Sequence, residues 1–358
     1  MKEENKSKNI TAFEAISKAQ FIACAPILFQ AVYVLRKHHI LSLLDESKVG
    51  LTLKELGDRS DLSEYALSVL LEVAQSGQIT ELTPDNRYKL TKIGYFLEND
   101  HMTKMNFDFT KHVCYKAMDQ LDEALTEHRP CGLAVFNKDW ETIYPHISEL
   151  PEDAKKAWFG WDHLYSQTSF APAIDAIREQ FNPAVIYDVG GNTGKFAIEC
   201  CQRLDKVKVT ILDLPSQIEM AQKNIAQNGL SDRVNFMAVD ILANPQLKGE
   251  ADIWWMSQFL DCFAPEHIHN ILLCINKVIK PGAHVCILEP IADRQKFDAA
   301  KLAINAGSLY FSAVANGYSR FFTTAMLTKL IEDAGFRVEK IIDNLGISNS
   351  MFICKKRI

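Results

Sequence analysis

One stretch of the 358-residue chain concentrates groups suited to holding a ligand: Val185-Ile186-Tyr187-Asp188-Val189-Gly190-Gly191-Asn192-Thr193-Gly194. An apolar run enters a glycine-rich turn, and a helical pattern opens at Lys195. Glycines let the backbone approach a ligand and leave amides exposed at the start of a helix. Asp213, in Ile211-Leu212-Asp213-Leu214-Pro215, follows Gly191 by 22 residues. An acid at the end of the second strand can accept hydrogen bonds from both hydroxyls of a ribose. Asp240, in Ala238-Val239-Asp240-Ile241, ends the next strand and suits an adenine amino group, with Ile241 packing on the ring. The three acids and the turn together predict a ligand containing adenosine. Taken singly, each has a plainer reading, because acids commonly cap turns.

The order of the glycines narrows the ligand. A dinucleotide site prefers G-x-G-x-x-G, in which close amides and the helix dipole receive a pyrophosphate. Here the order is G-G-x-x-G, and Asp188 stands two residues before the first glycine. A carboxylate there repels phosphate and attracts a cation, such as the ammonium or sulfonium of S-adenosylmethionine.

The elements that must carry these residues are legible from periodicity. After about residue 180, short apolar runs (Ala184–Val189, Lys208–Leu212, Val234–Val239, Ile253–Met256, His284–Leu288) alternate with helical patterns (Lys195–Leu204, Gln217–Asn228, Pro265–Ile279). That alternation predicts an α/β fold, a doubly wound parallel sheet of Rossmann type. Phe336–Ile342 and Ser350–Lys355 are too close for a parallel crossover, so the last pair should be antiparallel. Trp254 and Trp255 suit a strand buried on both faces.

Before residue 180 the spacing is helical. Phe13–Ala25 and Ile27–Leu44 predict long helices, and Leu53–Arg59 and Ser63–Gln75 shorter ones, the last with Ser63 as N-cap and Gly77 as its end. Ile79–Leu82 and Tyr88–Leu90 flank the turn Pro84-Asp85-Asn86. Helix, helix and hairpin in that order predict a winged helix. The expected divisions are residues 1–100 for this domain, 101–180 for a helical linker and lid, and 181–358 for the ligand-binding domain.

In combination these motifs resemble the S-adenosylmethionine-dependent O-methyltransferases that act on small aromatic molecules. The D-V-G-G-x-T-G turn, L-D-L-P at the second strand end, Pro281-Gly282 before the fifth strand and Ala334-Gly335-Phe336 before the final hairpin all match. The resemblance covers nearly the whole chain. It implies a seven-stranded sheet with an antiparallel last strand, an N-terminal dimerisation domain and a homodimer. It also places cofactor contacts on Gly190, Asp213, Asp240, Ile241 and Ser257, with S-adenosylhomocysteine as product; Asp188, Gly191, Leu214 and Gln258 beside them are expected to complete the cofactor site.

The family usually carries its base as the His of an L-H-D/N-W segment after the fourth strand. Here that segment reads Ser257-Gln258-Phe259-Leu260-Asp261-Cys262-Phe263, with Asp261 in place of the His. Three readings stay open. Asp261 is the base, its basicity raised by a dry pocket. Or the acceptor is already acidic and needs none. Or the chain binds the cofactor and does little chemistry. The resemblance gives Glu289, in Ile287-Leu288-Glu289-Pro290, the role of orienting the base. A second family acid would fall near Phe321 and is absent.

The lid is expected from Trp158-Phe159-Gly160-Trp161-Asp162-His163-Leu164-Tyr165, with Trp161, His163 and Tyr165 toward the acceptor and His163 as an alternative base. Arg320 would recognise an anionic acceptor.

Composition bounds the rest. Hydrophobic residues make up 47% and charged residues 23%, which excludes collagen-like and disordered classes. The formal net charge is −6. From Lys48 to Lys92 there are six basic and seven acidic residues, and Ser63–Val73 holds no Lys or Arg. A DNA-reading role needs the opposite sign, so no nucleic-acid partner is expected. No apolar run is long enough to suggest a membrane span, the polar MKEENKSKNI start does not read as a signal peptide, and cytoplasmic residence is expected. Nine cysteines without a C-x-x-C predict free thiols, and no metal site is expected. A nicotinamide oxidoreductase and a winged-helix regulator are the other classes considered.

Overall fold

The structure, a computed structural model, describes residues 10–243 and 245–357. The first nine residues, read above as no signal peptide, lie outside the described residues. The chain divides into two compact units, residues 1–107 and 108–358.

The first unit opens with α1 (Ala12–Lys37) and α2 (Ile40–Glu46). This corrects the expected helices Phe13–Ala25 and Ile27–Leu44. Pro26 stands inside α1, and the break falls at His38–His39, where His39 takes a left-handed φ of 59°. Proline removes one amide donor from the helix ladder, a loss that water makes good where the backbone is exposed. Ile22, one turn earlier and the residue whose carbonyl loses that donor, and Ile27, which follows Pro26, are both exposed. α3 (Leu53–Arg59) and α4 (Glu64–Ser76) start on N-caps Thr52 and Ser63, Thr52 forming a capping box with Glu55. An antiparallel pair, β1 (Thr80–Leu82) and β2 (Tyr88–Leu90), then α5 (Lys92–Asn99) complete it. Leu35, Ile40, Leu41, Leu56, Leu67 and Leu71 form its core.

α6 (His101–Phe109) leads into the second unit, followed by α7 (Leu121–Glu127) and the 30-residue α8 (Glu152–Phe181). β3 (Val185–Val189), α9 (Lys195–Arg203), β4 (Lys208–Asp213), α10 (Pro215–Gln227), β5 (Val234–Ala238), β6 (Ile253–Ser257), α11 (Pro265–Val278) and β7 (His284–Pro290) then alternate. α12 (Asp298–Tyr310), α13 (Thr324–Asp333), β8 (Phe336–Leu345) and β9 (Asn349–Lys356) end the chain. The seven strands run in the order β5-β4-β3-β6-β7-β9-β8, with β9 antiparallel to both neighbours.

Both faces are covered, which is why the strands are apolar throughout. Tyr187, Val189, Trp254 and Met256 face α11 and α13. Ile186, Val209, Ile211 and Trp255 face α8, α9 and α10. The period of two thus sends Trp254 to one core and Trp255 to the other, where it stacks on Phe196 at 4.4 Å. No disulfide forms among the described residues, in line with the free thiols expected.

Candidate active site

The strand order reverses between β3 and β6, and open α/β sheets bind ligands outside the strand ends at such a point. The glycine turn leaves β3 there. Gly190 and Gly194 take φ of 75° and 81°, which disfavours any residue with a Cβ. A Cβ on Gly190 would lie 2.2 Å from the Phe259 ring, and one on Gly191 2.6 Å from Asp188 Oδ2. The turn is therefore closed from both sides by the two residues it must accommodate.

Asp188 is buried, and its Oδ2 has no hydrogen-bond partner. Burial, and then the charge of Asp213, push its carboxyl up to about 8. Ser257 Oγ and Gln258 Nε2 at the end of β6 are likewise buried without partners. Gln258 is held at a φ of 46°, while its amide donates to the Leu288 carbonyl at 2.9 Å. Buried polar groups are nearly always paired, so orphans gathered at a sheet switch point mark a place for a ligand's own polar groups.

Asp213 anchors the next contact. Its two oxygens accept the amides of Asn192 (2.8 Å) and Leu214 (2.7 Å). Each carboxylate oxygen retains a second lone pair, the pattern a ribose diol needs. Burial raises its pKa, opposed by those two amides. Asp240 is exposed, with Oδ1 accepting the Leu242 amide at 2.9 Å, and Ile241 beside it is buried. These acceptor oxygens fit the two hydroxyls, the amine and the cationic end of an adenosyl-methionine ligand. The acid at Asp188 does not fit a pyrophosphate.

A second group lies beyond β6 and β7. Asp261 and Glu289 are both buried. Glu289 Oε1 accepts the amides of Phe259 (3.2 Å) and Leu260 (2.9 Å), and its Oε2 has no partner. Burial, then the neighbouring Asp261 charge, hold Glu289 well above the usual carboxylate range. Burial pushes Asp261 up to about 7; the Cys262 thiol, donating to its Oδ1 at 3.5 Å, works against this, and the charge of Asp162 adds to it. Asp162 of α8 is itself pushed up to about 6 by burial, with Lys195 opposing.

Around these acids stands a wall of rings. Phe109 stacks on Trp161 at 4.4 Å and meets Tyr310 edge-on at 4.9 Å. Trp161 touches Tyr165 and Phe321, and Trp158 Nε1 donates to the Tyr310 hydroxyl at 2.8 Å.

Of the residues predicted for an acceptor, Trp161 and Tyr165 belong to this wall. His163 is half-buried and held below its ordinary pKa by burial and then by Lys195. Arg320 stays outside the buried set, exposed, its Nε donating to the Phe321 carbonyl at 3.2 Å. Sequence reasoning passed over Asp162, Lys195, Phe109 and Tyr310. Asp162 stood inside the lid segment, and its sign of interest was an acid flanked by aromatics. Phe109 and Tyr310 gave no local signal, because they meet across about 200 residues. Among the described residues no group of three or more His, Cys, Asp or Glu is arranged to hold a metal ion.

Comparison with known proteins agrees with this geometry. Residues 172–337 match the O-methyltransferase domain family and residues 17–88 a Dimerisation2-like domain. L-tyrosine C(3)-methyltransferase of Streptomyces lavendulae is 23% identical over 82% of this chain and 80% of its own. O-methyltransferase cicE of Emericella nidulans is 21% identical over 92% of this chain and 73% of its own. The crystal structure of the S-adenosylmethionine-dependent methyltransferase SibL superposes with a TM-score of 0.75 at 20% identity, over 96% of this chain and all of that one. The chain carries an O-methyltransferase domain behind a dimerisation-type domain, and it is an S-adenosylmethionine-dependent methyltransferase.

Proposed function

We propose that this enzyme methylates the hydroxyl of a small aromatic molecule, with Asp261 taking the proton. When bound, S-adenosylmethionine supplies a methyl group already activated on a sulfonium. The chain's own work is then to align the acceptor and accept its proton. The observation that carries this reading is the burial of Asp261 beside a second buried acid, Glu289. A carboxylate near pKa 4 is a poor base toward a phenol, and one raised to about 7 is matched to neutral pH. Glu289 holds the 259–261 turn through two amides and so fixes where Asp261 stands. The rings of Trp161 and Tyr310 suit a planar acceptor.

Methyl transfer to a ring carbon is the second reading. It is favoured by the relative whose name specifies C(3)-methylation of L-tyrosine. Removing a phenolic proton enriches both the oxygen and its ortho carbon, so Asp261 serves either outcome. The test is incubation with methyl-labelled S-adenosylmethionine and a panel of phenols, hydroxyacids and thiols. Label in an O-methyl product, lost in Asp261→Asn, supports the reading; undiminished turnover in that variant removes Asp261 as base.

The reading extends to assembly and setting. A homodimer forms through the N-terminal unit, the reaction needs no metal, and the enzyme works in the cytoplasm on a small-molecule acceptor. The support for dimerisation lies in α1, where Phe13, Ile16, Phe21, Ile22 and Ile27 are exposed. Beside it runs a groove of about 810 Å³ lined by Phe21, Leu28, Phe29, Ile79 and Ile93. By length and composition α1 is also apolar enough to cross a bilayer, which the expectation from uninterrupted apolar runs overlooked. The match to a dimerisation-type domain over residues 17–88 favours a protein partner for that face. The helical segment 101–180 serves as the lid.

A further inference from the structure

The cofactor site is rich in acids, and one cation stands at its turn. Lys195 is the first residue of α9, directly after Gly194. Asp188 and Lys195 bound the six-residue turn Val189–Gly194 from its two ends. Three features of its position are unfavourable for a cation left alone. It is half-buried, and burial lowers its pKa. It sits at the positive end of a helix, where the macrodipole disfavours a cation. Among the described residues it makes no hydrogen bond or ion pair; Asp162 is the acid whose field it feels, and His163 stands beside that acid. A bound anion would offset all three costs.

A methionyl end carries an ammonium and a carboxylate on one carbon, and recognising it takes one group of each sign. Asp188, buried with an unpartnered Oδ2, supplies the negative one, releasing its proton as the ammonium binds. We propose that Lys195 supplies the positive one and binds the methionyl carboxylate of S-adenosylmethionine by a charge-assisted hydrogen bond. Lys195 is thereby a cofactor-recognition residue, and it discriminates against adenosyl sulfur compounds that lack the amino-acid end. This inference rests on the S-adenosylmethionine reading of the site.

The test is calorimetric titration of the full chain with S-adenosylhomocysteine and with 5′-methylthioadenosine, which keeps the adenosyl sulfur and lacks both charged groups. Wild type, Lys195→Met and Lys195→Arg are compared, with melting temperature as the check on folding. Lys195→Met is expected to weaken S-adenosylhomocysteine at least about tenfold and 5′-methylthioadenosine less than about twofold, with Lys195→Arg recovering most of the loss. Unchanged S-adenosylhomocysteine affinity in Lys195→Met overturns the assignment, as does an equal loss for both ligands. If wild type takes up neither ligand, the cofactor reading itself fails. If wild type takes up S-adenosylhomocysteine and Lys195→Met does so equally well, the Lys195 assignment alone falls.

Discussion

Leu260 donates its backbone amide to Glu289 Oε1 at 2.9 Å, tying the turn after β6 to the end of β7. Phe259 adds a second amide to the same oxygen. A variant that keeps an acceptor there should keep the turn. Glu289→Gln is therefore expected to fold with little loss, whereas Glu289→Ala leaves two amides unpaired at about 1–3 kcal/mol each. Chemical denaturation of both variants measures the difference, and equal stabilities would show that Glu289 does not hold the turn.

Asp261 should govern the rate without governing cofactor affinity. In Asp261→Asn we expect kcat/KM to fall by about 100-fold or more, within the range for losing a general base, while S-adenosylhomocysteine affinity changes less than about twofold. A base must be deprotonated to act. With its pKa pushed up to about 7, activity toward an acceptor that keeps its proton should rise with pH through that value. A flat profile across the same range would favour an acceptor that has already lost its proton.

Asp188 links stability to pH in the opposite sense. Its folded pKa of about 8 lies above the ordinary value near 4, so the folded state keeps a proton the unfolded chain has released. That stabilisation is complete below about pH 4 and is lost as pH rises through about 8. The melting temperature of ligand-free protein should accordingly decline over this window, and Asp188→Asn should flatten the decline. An equal slope in the variant would contradict the burial argument.

Gly190→Ala should be the more damaging of the two glycine substitutions. It combines a φ of 75° with a Cβ 2.2 Å from Phe259, whereas Gly191→Ala keeps an ordinary φ and meets the carboxyl end of Asp188 at 2.6 Å and Ile211 Cγ2 at 3.0 Å. Melting temperature and S-adenosylhomocysteine titration should rank both below wild type, with Gly190→Ala lower.

The legible parts of the fold were those fixed by local period and punctuation. The β3 turn, the β4 and β5 acids and the closing hairpin all stand where apolar runs meet glycine or aspartate. Pro26 misled because a proline inside an exposed helix loses a single bond, and the apolar face of α1 carries the helix through it. The wall of Phe109, Trp161, Tyr310 and Phe321 was not legible, since its members come from distant elements and any of them reads alone as core. Asp162 was hidden for a related reason: its proximity to Asp261 depends on how α8 crosses the sheet end, which no spacing within α8 encodes.

The dimer has its own test in the exposed side of α1. Ile22→Glu with Ile27→Glu places charge on two residues that are 71% and 67% exposed, so the fold of one subunit should be unaffected. Sedimentation should then report a monomer where wild type reports a dimer. A wild-type monomer that floats with lipid vesicles would reassign the helix to a membrane surface.

The central claim is that the glycine turn and its acids accept an adenosyl sulfur compound in preference to a dinucleotide. Calorimetry of the purified wild-type chain with S-adenosylhomocysteine and, separately, with NAD tests it most directly. Saturable heat with the first and none with the second is the predicted result; saturation by NAD with no uptake of S-adenosylhomocysteine would contradict it.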